Sequence, residues 1–292
     1  VSAVEIGDEM KHTEDEARHQ KKGAVDGNLP RSGAFIAFRR FRDPAIVKLT
    51  GTRNKIDERV LPYFDGDGLP EKLVRALARH NALPMKELFE SFEFFQRVRR
   101  RLRAPMVADL CCGHGLTGFL FATFCRGVEE VVLLDKKKPP SFEPILAAVG
   151  EVAPWAPGKV RFLKVPLSQA KDHLKPRTSV VAIHACGKRT DTCLKIAMAL
   201  GGRAAVMPCC YARTADRVPF AIRSALGKEL ATDVHRTYEL EGAGYEVDWT
   251  WIPRAITDKN RVLVATPKAP PPSSATSPRP KDDEKPKEGG RP

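Results

Sequence analysis

Seven short apolar runs follow one another after residue 105: "MVADL" (106–110), "VEEVVLLD" (128–135), "VRFLKV" (160–165), "SVVAIHA" (179–185), "RAAVMP" (203–208), "YEVDWTWI" (245–252) and "RVLVAT" (261–266). Each has strand length. Most of the segments between the first five can hold a helix, whereas only a short loop around "PRAITDKN" separates the last two. This predicts an α/β fold with a doubly wound, mostly parallel sheet, helices on both faces, and a closing hairpin that puts one antiparallel strand at the edge.

Upstream, over residues 31–105, the pattern changes to a helical one. "PMKELFESFEFFQRVRRRLRAP" places Leu88, Phe92, Phe95, Val98 and Leu102 at steps of three and four, an apolar stripe bounded by Pro84 and Pro105. Residues 1–30 and 267–292 are polar or rich in Pro, Ser, Lys and Glu, with little to bury, and are expected to be disordered. The expected organisation is therefore a disordered segment (1–30), a basic helical extension (31–105), an α/β domain (106–266) and a disordered tail (267–292).

With 292 residues, 42% of them hydrophobic, the chain can bury one substantial core. It has no run of eighteen apolar residues and no basic-then-apolar leader, so a soluble, cytoplasmic protein without a membrane partner is expected. Seven cysteines, including the adjacent pairs Cys111/Cys112 and Cys209/Cys210, lack the spacing of a disulfide scaffold and are expected to be reduced. The formal charge of +13 sits in the folded part: residues 31–105 hold seventeen basic against nine acidic side chains. Such an excess attracts polyanions, RNA foremost. Arg97, Arg99, Arg100, Arg101 and Arg103 at one helix end, with "FIAFRRFRD" upstream, form the candidate RNA-contacting surface. Compensation of the helix dipole is the simpler explanation of the same arginines.

The densest local chemistry is "DLCCGHGLTG" (109–118), a glycine-bearing turn between a strand and a helix. That arrangement offers backbone N–H groups and a helix N-terminus to a ligand, and Gly113 and Gly115 permit close approach. The spacing fits D-x-x-x-G-x-G, but Gly113, Gly115 and Gly118 also satisfy a dinucleotide pattern. Asp135 follows Gly115 by twenty residues at a strand end, where a carboxylate can accept both hydroxyls of a ribose. Asp109 before the loop suits the charged amino-acid end of S-adenosylmethionine (SAM). Lys136, Lys137 and Lys138 keep an NADP-binding oxidoreductase open as the alternative.

"IHACGKRTD" (183–191) and "MPCCYAR" (207–213) fall at the carboxyl ends of the fourth and fifth strands, the ligand-binding edge of open α/β sheets. With these stretches the sequence resembles a group of class I SAM-dependent methyltransferases carrying D-x-x-x-G-x-G, H-x-C-G-x-x-T-D and P-C-C-[HY] motifs. The group includes tRNA 2′-O-methyltransferases and methyltransferase-like proteins. The motifs read Asp109 to Gly115, His184 to Asp191 and Pro208 to Tyr211, and the resemblance spans roughly residues 84–266. It implies the seven-stranded, Rossmann-like class I fold, SAM as cofactor, and binding by Asp109, Gly113, Gly115 and Asp135. Cys111, Lys136, Ser168 and His184 complete the candidate cofactor contacts. The chain has Tyr211 where the tRNA enzymes have histidine, and it lacks an evident CCCH-type zinc finger upstream.

The candidate catalytic residues are His184, as general base for an acceptor hydroxyl or amine, with Asp191 and Lys188 beside it. Asp191 can equally cap the following helix, and Lys188 and Arg189 can meet substrate phosphates. No metal site is expected, because adjacent cysteines should point their side chains apart. Pro208-Cys209 as a covalent methyl carrier is a further alternative, and packing under the loop the simpler role. The functional expectation is a SAM-dependent methyltransferase acting on RNA. The alternatives are a protein methyltransferase and a non-catalytic RNA- or protein-binding module on the same fold.

Overall fold

The computed structural model of the protein describes residues 33–39, 44–211 and 215–268. Residues 1–30 and 269–292 of the segments expected to be disordered, and Arg40, Phe41 and Arg42 of the Phe/Arg stretch, lie outside the described residues. The expected tail starts two residues too early, because Pro267 ends the last strand and Lys268 N donates to Gly244 O. Among the described residues three α-helices come first: α1 (Pro44–Thr50), α2 (Leu69–Arg79) and α3 (Met85–Val98). The chain then runs through β1 (Met106–Leu110), α4 (Leu116–Phe124), β2 (Glu130–Asp135), α5 (Phe142–Val152) and β3 (Val160–Lys164). After a short 3-10 segment, Leu167–His173, come β4 (Ser179–Ile183), α6 (Lys188–Ala199), β5 (Ala204–Met207), α7 (Phe220–Gly242, kinked at Gly227), β6 (Tyr245–Trp251) and β7 (Arg261–Pro267).

The seven strands form one sheet in the order β3-β2-β1-β4-β5-β7-β6, and only β7 runs against the rest. This is the class I methyltransferase plan. One expectation needs correction: the antiparallel strand is not at the edge, because β7 inserts between β5 and β6. The burial of the two strands explains the order. Val262, Leu263, Val264 and Ala265 of β7 are all buried, so the strand needs cover on both sides, whereas β6 exposes Glu246 and Asp248, charges that suit an outer strand.

Side-chain alternation divides the sheet between two cores. Val107, Val131, Leu133 and Val181 pack on the face covered by α2, α3, α4 and α5. Ala108, Leu110, Val132, Leu134, Val180 and Ala182 pack on the other face, with α6 and with Leu240 of α7. The stripe of α3 is buried as expected, although the α-helix ends at Val98, before Leu102. Phe89 and Phe94 are buried as well, so α3 is enclosed nearly all round. The helices of residues 31–105 therefore share a core with the sheet.

This enclosure corrects two parts of the expected RNA surface. Phe38 sits with its ring 5.0–5.7 Å from those of Phe64, Phe89 and Phe92, and Phe35 packs edge-on to Phe89. These rings are core, not platforms for bases. Arg97 is buried too, donating to the carbonyl oxygens of Trp251 (2.5 Å), Ala34 (2.7 Å) and Glu93 (3.0 Å) and pairing with the Glu93 carboxylate. Glu93 in turn accepts from the backbone N–H groups of Ile36 and Ala37. The Arg97–Glu93 pair ties the N-terminal segment to α3 and β6.

The fit between α4 and β2 depends on a missing side chain. A Cβ on Gly118 would lie 2.2 Å from Leu133 Cδ2 and 3.0 Å from Val131 Cγ1. Gly118→Ala is therefore expected to destabilise the fold by about 1–3 kcal/mol, read as a lower thermal midpoint. An unchanged midpoint would contradict the packing described.

Candidate active site

β1 delivers the chain to its carboxyl end at Leu110, where the backbone turns sharply. Cys111 (φ 56°), Gly113 (φ 53°) and Gly115 (φ 80°) all adopt left-handed conformations, and Gly115 caps α4. A left-handed Cys111 is strained, and such positions cluster at ligand sites. Two carboxylates hold the turn. Asp109 accepts from Gly118 N at 3.0 Å, and Asp135 at the end of β2 accepts from Gly113 N at 3.2 Å and from Lys136 N at 2.7 Å. A Cβ on Gly113 would meet nothing within 4 Å, whereas one on Gly115 would lie 2.9 Å from Leu133 Cδ1. Gly115 is required by packing; Gly113 leaves its backbone open to a ligand.

Around this turn lies a cleft of about 320 Å³, at the small end of the range for small-molecule sites. The turn residues 111–117, Asp109, Asp135, Ile183, His184 and Arg189 line it, and so do Glu87 and Ser91 of α3. Asp109, Cys111, Gly113, Gly115, Asp135 and His184 are thus brought together as expected. Lys136 and Ser168 do not line the cleft. Lys136 meets Asp135 only through its backbone N–H, and Ser168 sits exposed on the 3-10 segment after β3. Neighbouring position along the sequence did not translate into a side chain on the wall.

Burial pushes the Asp109 carboxyl well above the usual carboxylate range, with the Gly118 N–H opposing. A cationic group in the cleft would relieve that cost, which is what the ammonium end of SAM offers. The Cys111 thiol is held below its usual range by the Cys193 thiol, against its own burial, and so links the turn to α6. His114 lines the cleft and bonds Ser141 Oγ at 2.8 Å, and burial lowers its pKa. The open cradle at Gly113, the exposed face of Asp135 and the buried acid at Asp109 fit SAM.

His184 stands on the opposite wall with a left-handed backbone (φ 58°). Its Nε2 lies 2.8 Å from Oε2 of the fully buried Glu90, whose other oxygen accepts from Lys86 Nζ at 2.5 Å. Burial would raise the Glu90 carboxyl, yet the hydrogen bonds and charges of His184 and Lys86 hold it below the usual range. An ionised carboxylate only accepts, so a neutral His184 donates from Nε2 and keeps its lone pair on Nδ1. That Nδ1 is buried and has no protein partner. Glu90 was not legible as a site residue. The signal was the period-three row Glu87, Glu90, Glu93, which sets carboxylates among the apolar positions Leu88, Phe89, Phe92 and Phe94 of the helix. Glu87, Glu90 and His184 place three ligand atoms within 4.8 Å, but the Lys86 ammonium already neutralises Glu90.

The other two catalytic candidates lie elsewhere in the site's framework. Asp191 is buried and accepts from Arg236 Nε at 2.7 Å, so it neither orients His184 nor caps α6, whose cap is Gly187. Arg236 also bonds Asp233 at 2.9 Å, and Asp233 accepts from Tyr211 Oη at 2.7 Å and pairs with Arg261. Asp191 and Tyr211, from two different motifs, are therefore anchored to α7 by one buried network. Lys188 is exposed at the start of α6, next to Arg189 on the cleft wall.

The cysteine geometry corrects an expectation. Cys209 and Cys210 do not point apart: their Sγ atoms are 3.5 Å from each other, and Cys186 Sγ lies 3.2 Å from Cys209 Sγ. β5 ends at Met207, so strand alternation no longer governs the pair. None of the three lines the cleft, and burial raises the Cys209 thiol, which argues against a methyl carrier there.

A second cavity, of about 390 Å³, lies at the opposite edge, before β1 and β2. Arg99, Arg100, Arg103 and Arg126 line it. Arg101 pairs with Asp248 of β6 at 2.5 Å. The arginine cluster is thus separated from the cleft by the length of β1, about 16 Å for five residues. Among the described residues, no helix is long and apolar enough to cross a membrane.

Residues 85–217 match a family model described as a methyltransferase domain. No curated protein matches the chain. Solved structures similar to it include the methyltransferase domain of bacterial CtHen1 (13% identity, 63% of this chain and 100% of that one, TM-score 0.43). The Methanococcus jannaschii fibrillarin pre-rRNA processing protein is similar at 13% identity, over 57% of this chain and 68% of that one, with a TM-score of 0.41. The precorrin-6y C5,15-methyltransferase of Geobacter metallireducens is similar at 12% identity, over 59% and 86%, with a TM-score of 0.40. The domain match over residues 85–217 and the strand order agree on a class I methyltransferase fold, and that fold implies the use of SAM.

Proposed function

We propose that the protein methylates RNA, binding SAM in the cleft between the Gly113 turn and His184. The observation that carries this reading is the single cleft that brings the open Gly113 backbone, Asp135 and His184 together. When bound, SAM supplies an electrophilic methyl group on a sulfonium. Asp135 would hold the ribose hydroxyls, Asp109 the ammonium end, and the N–H groups at the start of α4 the carboxylate. His184, held by Glu90, is the general base on the cleft wall for the proton of the acceptor, and Ile183 and Leu116 exclude water from the wall.

Charge beside the cleft supports RNA as the acceptor. Exposed Lys136, Lys188 and Arg189 sit on or beside the cleft wall, and exposed Lys55 acts electrostatically on His114. The H-x-C-G-x-x-T-D and P-C-C-Y motifs, which resemble those of a group that includes tRNA 2′-O-methyltransferases, support the same acceptor. Replacing Lys188 and Arg189 together by alanine is expected to weaken RNA binding and to reduce the magnitude of its log–log salt slope by about 0.7–0.9 per lost phosphate contact. An unchanged slope would remove these two cations from the interface.

The function is tested by incubating the protein with methyl-labelled SAM and fractionated cell extract. Label in RNA that ribonuclease removes is the expected result. Label in polypeptide that ribonuclease leaves intact would overturn the RNA acceptor, and no label in any fraction would overturn methyl transfer itself.

A further inference from the structure

We propose that Cys186, Cys209 and Cys210 form a binding site for one thiophilic cation, zinc in the first instance, at the joined ends of β4 and β5. The three sulfurs lie within 4.8 Å of one another, with Cys186–Cys209 at 3.2 Å and Cys209–Cys210 at 3.5 Å. A tetrahedral ion with Zn–S bonds of about 2.3 Å holds its sulfurs about 3.8 Å apart. The cluster reaches that spacing if Cys186–Cys209 opens by about 0.6 Å and Cys209–Cys210 by about 0.3 Å.

The backbone prepares the site. His184 N donates to Met207 O at 3.0 Å and Gly187 N donates to Cys210 O at 3.1 Å, so the two loops that carry the thiols are already tied together. Cys186 and Cys209 are half-buried while Cys210 is exposed, which gives an ion a route in. Three thiolates leave the fourth tetrahedral position to water or another ligand. Soft sulfur ligands select Zn²⁺ or Cu⁺ over Mg²⁺ or Ca²⁺.

Burial and the neighbouring sulfurs raise the Cys209 thiol, and burial raises that of Cys186, so both carry protons in the metal-free chain. Each thiol that ligates the cation loses its proton to solvent, and binding is a metal-for-proton exchange. None of the three sulfurs belongs to the cleft, but Cys186 Sγ lies 3.3 Å from His184 O. An ion here would fix the loop that carries His184.

The test uses the full chain, stripped with a chelator, kept reduced with a phosphine and titrated anaerobically with Co²⁺. The expected result is sulfur-to-cobalt charge-transfer absorption with tetrahedral ligand-field bands, saturating at one ion per chain, displaced by Zn²⁺ and accompanied by proton release. Cys186→Ser and Cys209→Ser should abolish the bands, and Cys125→Ser, at the other edge of the sheet, should not. Should a serine variant fail to fold, alkylation of the unmutated chain decides: Zn²⁺ should protect Cys186, Cys209 and Cys210 and leave Cys125 reactive. Spectra of oxygen or nitrogen ligation, bands that survive both serine variants, equal alkylation with and without Zn²⁺, or a Cys186–Cys209 disulfide in the reduced, metal-free chain would each overturn the proposal.

Discussion

Asp135→Ala is expected to weaken SAM binding by roughly 10²–10⁴-fold, because two charge-assisted hydrogen bonds to ribose hydroxyls contribute about 1.5–3 kcal/mol each. The side chain also holds Gly113 N and Lys136 N, so its loss slackens the turn that faces the ligand. Asp135→Asn separates the two effects. It keeps an oxygen for Gly113 N but removes the charge, and an intermediate loss is expected. Titration calorimetry on the folded variants reads the difference. Affinity within a few-fold of the unmutated protein would remove Asp135 from the ribose site.

The second large effect falls on turnover. His184→Ala is expected to lower kcat by roughly 10²–10⁴-fold, the range for loss of a positioned general base, with little change in affinity for SAM. Glu90→Gln should act through His184: losing one charge-assisted hydrogen bond of about 1.5–3 kcal/mol implies roughly 10–100-fold. The Glu90 carboxyl lies below its ordinary range when folded. Its contribution to stability is therefore present above the ordinary carboxylate pKa and lost as pH falls through the lowered one. Single-turnover rates at saturating SAM and RNA separate chemistry from binding. A variant with normal kcat and a lower thermal midpoint would make His184 a structural residue only.

The strands of the sheet were legible because strands buried on both faces read as unbroken apolar runs. The glycine turn was legible because glycine marks left-handed backbone, and Gly113, Gly115 and Gly118 each proved to have a distinct steric setting. What the sequence concealed lies in tertiary contacts. The pairing of Glu90 with His184 spans 94 residues, and that of Asp191 with Arg236 spans 45, distances over which no local pattern can join partners. Arg97 looked like its exposed neighbours, yet it is buried because β6 and the N-terminal segment supply carbonyl oxygens for it. The order of β6 and β7 follows from which strand tolerates an open edge, and the exposed Glu246 and Asp248 carried that signal.

Hydrogen–deuterium exchange of the whole chain with and without S-adenosylhomocysteine, the product form of the cofactor, locates the cofactor site directly. The geometry predicts slowed exchange in peptides covering 109–118, 135–138 and 183–190, at the carboxyl edge of β1, β2 and β4. Protection at 99–104 and 125–128, around the arginine-lined cavity, with none at the glycine turn, would contradict it.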